Sequence, residues 1–330
     1  MIYIPATMKR LIHTISLFML LGGGQLSLAQ QQLYPLPEKK GALIITPGMK
    51  TIQTELRDDD SQLRVKWDSP EHLMTMTAFI QPAEAPGDAR VCRDTWWPQT
   101  ERGIVSLAKI KDKKFREPDG VALVEYTVAK LEKTINQKHV HAYLAGGDVW
   151  AEVHISKVDF KPEDQALFDA ILSTLRLKAD YVTNSRDYWR WGAIASNQME
   201  YKKAARYFQK SLDLEKKSPV LAPEILRRMI ADLGHFYESS GDLARAKETL
   251  EYGLSKYPDY PLYHYNMACV IALTEKMDET LAELRLAYAN RKNIYPEEQA
   301  LLDPLTIDCF SKFAREQKFI QAVREMQQQH

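Results

Sequence analysis

Three histidines and a glutamate are the residues of this chain best suited to metal chemistry: His139, His141, Glu152 and His154. Imidazole nitrogens and carboxylate oxygens are ligands that zinc favours, at distances of about 2 Å. An enzyme would also need an open coordination position at such a site. The simpler interpretation is a polar sheet face, because His–Glu and aromatic pairs stabilise neighbouring strands without a metal.

Three cysteines are too few for a disulfide framework, and no Cys-x-x-Cys pair indicates structural zinc. The basic neighbours of Cys92 would favour its thiolate, although a structural or incidental cysteine is the stronger expectation. Cys269 and Cys309 can form a bridge in an oxidising compartment, but their spacing alone does not place them within bonding distance.

Common catalytic motifs are missing from the sequence. There is no Gly-x-Ser-x-Gly elbow, no phosphate-binding glycine loop with its lysine, and no His-Glu-x-x-His. The Trp96-Trp97-Pro98 cluster favours a core anchor over a sugar-binding platform. We therefore expect a protein without a catalytic site or a cofactor.

The chain has 330 residues, with 44 basic and 44 acidic side chains and 45% hydrophobic residues. This length predicts about two domains, and the apolar fraction is sufficient for packed cores. A formal charge of zero provides no global field to attract DNA or RNA, which argues against a dedicated nucleic-acid binder.

Residues 1–29 have the features of a secretion signal. Lys9 and Arg10 precede an apolar run over 11–21, and Ser27-Leu28-Ala29 offers a small-x-small cleavage site. The apolar run is shorter than the roughly 20 residues that a membrane-spanning helix needs. The expected product is exported to a periplasm or outside the cell, without stable membrane insertion.

After a polar leader over residues 30–40, residues 41–180 predict an α+β domain with an antiparallel sheet and a few helices. Alternating apolar residues indicate strands, and a helix is expected over about 99–109. The predicted strands cover 42–46, 63–67, 74–80 and 121–128. Isolated helices between strands favour this plan over repeated βαβ units.

Gly146 and Gly147 predict the turn of a β-hairpin, because glycine adopts the positive φ angles of a two-residue turn. Counting outward pairs three sets of apolar residues on one face: Leu144 with Val149, Ala142 with Ala151, and Val140 with Val153. The other face pairs Tyr143 with Trp150, His141 with Glu152, and His139 with His154. This register would bring the histidines and Glu152 together.

Pro162 and two acidic residues predict the start of a helix, which carries an apolar stripe through Leu175. Residues 150–156, this helix and residues 175–177 resemble the end of small secreted α+β domains with a PsbP-like fold. The resemblance covers about thirty residues and implies a fold without any particular chemistry.

Beyond residue 180, small and large residues recur with a 34-residue period. One unit contains Leu233-Gly234-x-x-Tyr237, Gly241, Leu243, Ala246, Leu250, Gly253 and Pro258, and the next contains Met267-Ala268-x-x-Ile271, Met277, Leu284 and Ala287. An earlier unit contains Trp191-Gly192, Tyr201, Ala204, Phe208 and Ser211. These residues resemble the tetratricopeptide repeat, a helix-turn-helix unit of this period.

The resemblance implies three repeats over 185–294, in the spans 185–218, 227–260 and 261–294, joined to the first domain near residues 179–185. Residues 219–226 are an insertion, and residues 295–330 are expected to form capping helices. In the third unit Glu275 stands where glycine is usual, so its turn is the least well predicted.

Tetratricopeptide arrays usually bind a protein or peptide along the concave groove lined by the first helix of each pair. The groove positions here are Arg186, Trp189, Arg190, Asn197, Arg228, Asp232, His235, Glu238, Tyr265 and Asn266. The three arginines can grip a carboxylate or an acidic segment. Trp189 and Ala193 replace the residues with which chaperone-binding relatives hold a C-terminal carboxylate, so that ligand is not expected.

We therefore expect an exported, non-enzymatic interaction or scaffold protein. One alternative is an enzyme or metal-binding protein, with its site in the α+β domain and the repeats as a recruitment module. Another is a purely structural role, in which the predicted groove residues are solvated or contact the first domain.

Overall fold

The computed structural model describes residues 30–105, 109–129, 136–295, 298 and 300–328. The chain forms two compact units, of which the first ends at Thr183 and the second begins at Asn184. This division falls within the segment 179–185 that the sequence predicts as the junction. The predicted signal lies outside the described residues.

The first unit contains two antiparallel sheets. The larger comprises β3 (Lys50–Leu56), β4 (Leu63–Ser69), β5 (Met74–Pro82), β6 (Lys109–Arg116), β7 (Ala122–Ala129), β8 (Asn136–Gly146) and β9 (Val149–Val158), in the spatial order β3-β4-β5-β9-β8-β7-β6. The smaller comprises β1 (Gln32–Pro35), β2 (Ala42–Ile45) and β10 (Arg176–Lys178), in the order β1-β2-β10. β1 lies inside the segment predicted as a leader, so these residues belong to the smaller sheet.

The predicted hairpin is present as β8 and β9, but its predicted register is wrong by two residues. Gly146 pairs with Val149, and His141 pairs with His154 instead of Glu152. The turn is therefore Gly147-Asp148. Because side chains alternate with a period of two, a two-residue shift leaves every side chain on its predicted face.

Helix α1 (Ala89–Val105) covers one face of the larger sheet. Its bounds correct the prediction of a helix over 99–109, because Pro98 lies inside the helix and Lys109 begins β6. The start of the helix is capped by Asp88, whose carboxylate accepts the backbone N–H of Arg90 at 2.9 Å.

The opposite face of the larger sheet is apolar and buried. Leu63, Val65 and Trp67 of β4 alternate inward, and the Trp67 ring meets Tyr34 of β1 at 5.6 Å. Helix α2 (Gln165–Leu172) follows a short 3-10 helix at Pro162, where the sequence predicts a helix start.

The second unit is built from helical hairpins. Its helices are α3 (Ser185–Asn197), α4 (Tyr201–Glu215), α5 (Pro223–Ser239), α6 (Leu243–Lys256), α7 (Pro261–Ala272), α8 (Met277–Ala289) and α9 (Gln317–Gln328). The first six form three consecutive pairs. α5 begins four residues before the predicted unit at 227, so only part of the predicted insertion 219–226 lies outside a helix. An α+β unit followed by an all-helical unit is the predicted order.

Small residues allow the paired helices to approach closely. A Cβ atom added to Gly234 would lie 2.7 Å from Cδ2 of Leu250, and one added to Gly192 would overlap the Phe208 ring. The third pair has Ala268, which is fully buried, at the corresponding place.

The C-terminal residues close the open side of the third pair. The apolar residues of this segment pack with those of α7 and α8: Leu301, Leu302, Leu305, Phe310, Phe313, Phe319 and Val323. Within the predicted capping helices over 295–330, the described residues form one α-helix, α9, and two short 3-10 helices, Pro304–Thr306 and Asp308–Phe310. A disulfide joins Cys269 of α7 to Cys309, with Cα atoms 5.3 Å apart. In the part of the chain that the structure describes, no helix is both long and apolar enough to cross a bilayer.

Candidate functional site

The candidate binding surface is the first-helix face, which we define as the side of α3, α5 and α7 that carries the predicted groove residues. α5 and α7 are in direct contact, because Asn266 Nδ2 donates to the carbonyl oxygen of Ala231 at 3.0 Å and the Tyr263 hydroxyl donates to that of Arg227 at 2.9 Å. The α5 and α7 parts of the face therefore belong to one pair of packed helices.

The α3 part of the first-helix face is open. Arg186 and Arg190 are exposed, while Trp189 and Asn197 are half-buried. Residues three or four positions apart lie on the same side of a helix, so these residues form one stripe. Arg186 Nη2 donates to the carbonyl oxygen of Val220 at 3.1 Å, which orients its side chain.

The polar side chains of the α5 part of the face pair with one another. Arg228 Nε lies 3.0 Å from Asp232 Oδ1, and the charge of Asp232 raises the pKa of Arg228. His235 Nδ1 lies 3.2 Å from a Glu238 carboxylate oxygen. Arg228 is thus engaged by Asp232, and the predicted grip of three arginines reduces to Arg186 and Arg190.

The α7 part of the face is closed. Tyr265 is only 6% exposed, and its ring packs edge-on against Phe310 at 5.7 Å. Asn266 is engaged with Ala231, as described above. These two predicted groove residues therefore serve internal packing, and the surface open to a partner lies toward the first pair.

Two polar contacts of this unit have no counterpart in the predicted site. Glu215 is buried and accepts the Ser185 hydroxyl at 2.6 Å, and Tyr260 donates to Glu298 at 2.9 Å. Neither contact follows from the predicted repeat pattern, because Glu215 bonds to the predicted insertion and Glu298 lies beyond the third predicted repeat.

In the first unit, the predicted polar residues do come together beneath α1. His139 Nδ1 lies 2.9 Å from His154 Nε2, and His141 Nδ1 lies 2.7 Å from Glu152 Oε1. The rings of His141 and His154 stack with centroids 4.1 Å apart. His141 Nε2 is 3.0 Å from the hydroxyl of Tyr126, so both nitrogens of this ring are hydrogen-bonded.

Burial controls the ionisation of this histidine cluster (His139, His141, Glu152 and His154). Desolvation lowers the pKa of each of the three histidines to about 3. Desolvation also raises the pKa of Glu152. The imidazoles are therefore neutral at neutral pH and act as hydrogen-bonding members of a packed interior.

The geometry of the cluster does not favour the metal alternative. Its nitrogens face one another, Glu152 and Tyr126 instead of converging on a common point. Among the residues that the structure describes, no group of three or more His, Cys, Asp or Glu side chains is arranged to hold a metal ion. Facing side chains on a sheet thus form a hydrogen-bonded layer here.

The neighbouring aromatic and sulfur groups are structural. Trp97 is 4% exposed and packs against His141 at 5.5 Å. Trp96 donates its indole N–H to Glu84 at 2.8 Å. Cys92 is fully buried, and desolvation raises the pKa of its thiol, which is the opposite of thiolate activation.

Comparisons with known proteins identify no family for the chain. No family profile matches it, and no curated protein matches it by sequence. A crystal structure of a protein from Bacteroides thetaiotaomicron VPI-5482 is similar at 8% sequence identity, covering 61% of this chain and 77% of that chain with a TM-score of 0.29. A likeness at this level supports no inference about fold or function.

Proposed function

We propose that the second unit is a tetratricopeptide-type array that binds a protein or peptide through its first-helix face, and that the chain is a non-enzymatic interaction protein. The repeated turn between paired helices carries this proposal. Met199, Gly241 and Glu275 all have positive φ, at 62°, 80° and 64°. Each donates its N–H to the carbonyl oxygen three residues earlier, at 2.9, 2.9 and 3.0 Å.

Equivalent turns support equivalent repeats, although the first and third units have Met199 and Glu275 where the second has Gly241. Stacked helical pairs create extended surfaces that suit a polypeptide partner. Such a surface is ordered before binding, so a partner loses less free energy on association. Rigid display of the first-helix face is the mechanism that we propose.

We also propose that the chain acts in an exported compartment, periplasmic or extracellular. The predicted signal over residues 1–29 is the main argument. The disulfide between Cys269 and Cys309 supports it, because disulfides persist in oxidising compartments.

Site-specific crosslinking in the producing cell tests the binding proposal with the full chain. A photo-reactive residue replaces Ala193, which lies on the α3 stripe between Arg190 and Asn197, and a control replaces Lys247, which is exposed on α6. We expect discrete protein adducts at position 193 and none at position 247. Equal labelling at both positions, or none at 193, would contradict the proposal.

A further inference from the structure

Basic charge is concentrated in the first helical pair. Residues 184–218 carry eight basic and four acidic side chains, whereas residues 223–258 carry five and six, and residues 261–290 carry two and four. Two of the four acidic residues in the first pair, Asp187 and Glu215, are buried at 3% and 4% exposure. The exposed charged residues of the first pair therefore have a larger excess of basic over acidic side chains than its sequence as a whole.

Two arginines of this pair are placed to act together. Arg186 and Arg190 are one helical turn apart, which is a rise of about 6 Å, and both are exposed. Arg186 uses one guanidinium nitrogen on Val220 and retains further donors, because a guanidinium has five N–H groups. The Arg190 side chain makes no hydrogen bond or ion pair with the residues that the structure describes.

Trp189 lies beside both arginines on the α3 stripe and is half-buried. It is three residues from Arg186 and adjacent to Arg190, so it provides an apolar surface near the two positive charges. Arg228, in contrast, is held by Asp232 on α5 and is not available in the same way. The first-helix face therefore offers two available guanidinium groups with a half-buried tryptophan near them.

We propose that Arg186, Trp189 and Arg190 form a docking surface for an acidic peptide segment whose two carboxylates are about 6 Å apart; this inference rests on the proposed function. Alternate side chains of an extended peptide lie on one side, about 6.7 Å apart. A Glu-x-Glu or Asp-x-Asp sequence meets this spacing. Each carboxylate binds one guanidinium, and the residue between them packs on Trp189.

Fluorescence anisotropy with the full mature protein tests the spacing. The probe is a fluorescein-labelled decapeptide with one Glu-Leu-Glu sequence in a Gly-Ser background, and the control peptide has the same composition with the two glutamates six residues apart. We expect the Glu-Leu-Glu peptide to bind at least about fivefold more tightly, with an affinity that falls as salt rises. Equal binding of the two peptides, or binding of neither, overturns the proposal.

Matched charge-reversal variants test the location. The Arg186→Glu, Arg190→Glu variant is expected to lose about tenfold or more in peptide affinity. The Arg285→Glu, Arg324→Glu variant changes the net charge equally at two other exposed arginines and is expected to retain it. Equal losses in both variants would overturn the proposal, as would tighter binding of single-stranded RNA or phosphatidylglycerol vesicles than of the peptide.

The crosslinking experiment separates this inference from the function on which it rests. Partner adducts at position 193 that survive in the Arg186→Glu, Arg190→Glu variant would overturn the acidic docking surface and leave the binding function standing. Loss of those adducts in this variant alone, with an unchanged circular dichroism spectrum, is the expected result.

Discussion

A single buried carboxylate organises the junction between the first two helical pairs. Glu215 is 4% exposed, and its oxygens accept the Ser185 hydroxyl at 2.6 Å and the backbone N–H groups of Val220 and Leu221 at 3.0–3.2 Å. These bonds connect the start of α3 with the residues that precede α5. Glu215 thus helps to fix the conformation of the insertion at Val220 and Leu221.

Replacing Glu215 with alanine is expected to lower the free energy of unfolding of the second unit by about 1–3 kcal/mol, because buried donors lose their acceptor. Urea unfolding followed by far-UV circular dichroism measures the change. Asp213→Ala on the same helix is the control, since Asp213 is exposed and an exposed substitution changes stability by about 0.5 kcal/mol or less. Equal effects of the two variants would refute the role assigned to Glu215.

The disulfide is a second case in which individual residues determine the stability of the second unit. Cys269 and Cys309 are 40 positions apart, so their bond restricts a long loop of the unfolded chain. Removing it with the Cys269→Ala, Cys309→Ala variant is expected to cost about 2–4 kcal/mol. A reductant should lower the melting temperature of the wild type and leave that of the variant unchanged. If the reductant does not change the melting temperature of the wild type, the disulfide is contradicted.

At the scale of elements, the three interhelix turns show how one backbone shape is made from different residues. Gly241 adopts positive φ without steric cost, whereas Met199 and Glu275 adopt it at a cost of about 1–2 kcal/mol each. Glu275 also contacts Lys312 in an ion pair, which Met199 lacks. Met199 is 55% exposed and is therefore the position where the backbone cost is seen most directly.

Met199→Gly is expected to stabilise the second unit by about 1 kcal/mol, because glycine removes the strain of the left-handed conformation. Differential scanning calorimetry should show a rise in melting temperature of about 2–4 °C. Met199→Ala is the control, since it shortens the side chain but keeps the Cβ atom. A glycine variant no more stable than the alanine variant would show that the turn is unstrained.

Elements with strong periodic signals were predictable, and those shaped by tertiary contacts were not. The β8–β9 hairpin follows from alternation, yet its register shifts by two because Gly147 and Asp148, not Gly146 and Gly147, form the turn. Helix α1 was predicted to start ten residues too late and to end at Lys109, which begins β6. Pro98 lies inside the helix, where proline normally marks a boundary. Capping by Asp88 was the overlooked signal for its true start.

For the candidate surface too, the sequence pattern predicted the positions of residues but not their contacts. Repeat spacing identified Arg186, Arg190 and Arg228 as neighbours on the first-helix face. The pairing of Arg228 with Asp232 and the burial of Tyr265 depend on side-chain packing and on the C-terminal residues. Spacing alone therefore predicts where groove residues lie, but not which of them a partner can reach.

At the scale of the whole molecule, the two units contain buried histidines with opposite shifts. In the first unit, desolvation lowers the pKa of His139, His141 and His154 to about 3. In the second, burial opposes the charged form of His264, but hydrogen bonds to Glu283 and the Pro258 carbonyl raise its pKa overall. The two units should therefore respond differently to acid.

The signs follow from proton binding in the folded and unfolded states. An unfolded histidine has a pKa of about 6.5. Below that pH the unfolded first unit binds more protons than the folded one, so the stability of this unit falls as the pH is lowered. Protonation of Glu152 in the folded state offsets at most one of the three histidine protons. The contribution of His264 is fully present below pH 6.5 and is lost as pH rises through its folded pKa.

When the pH is lowered from 8 to 5, the first unit is thus expected to lose stability. Below pH 6.5 each histidine of the cluster contributes a loss of up to about 1.4 kcal/mol per pH unit. Over the same range the stabilising contribution of His264 to the second unit increases. Hydrogen exchange measured peptide by peptide, corrected for intrinsic rates, resolves both units in the intact chain. His264→Gln should abolish the gain in the second unit, and His139→Gln, His154→Gln should flatten the loss in the first. Parallel profiles for the two units would contradict the opposite roles of their histidines.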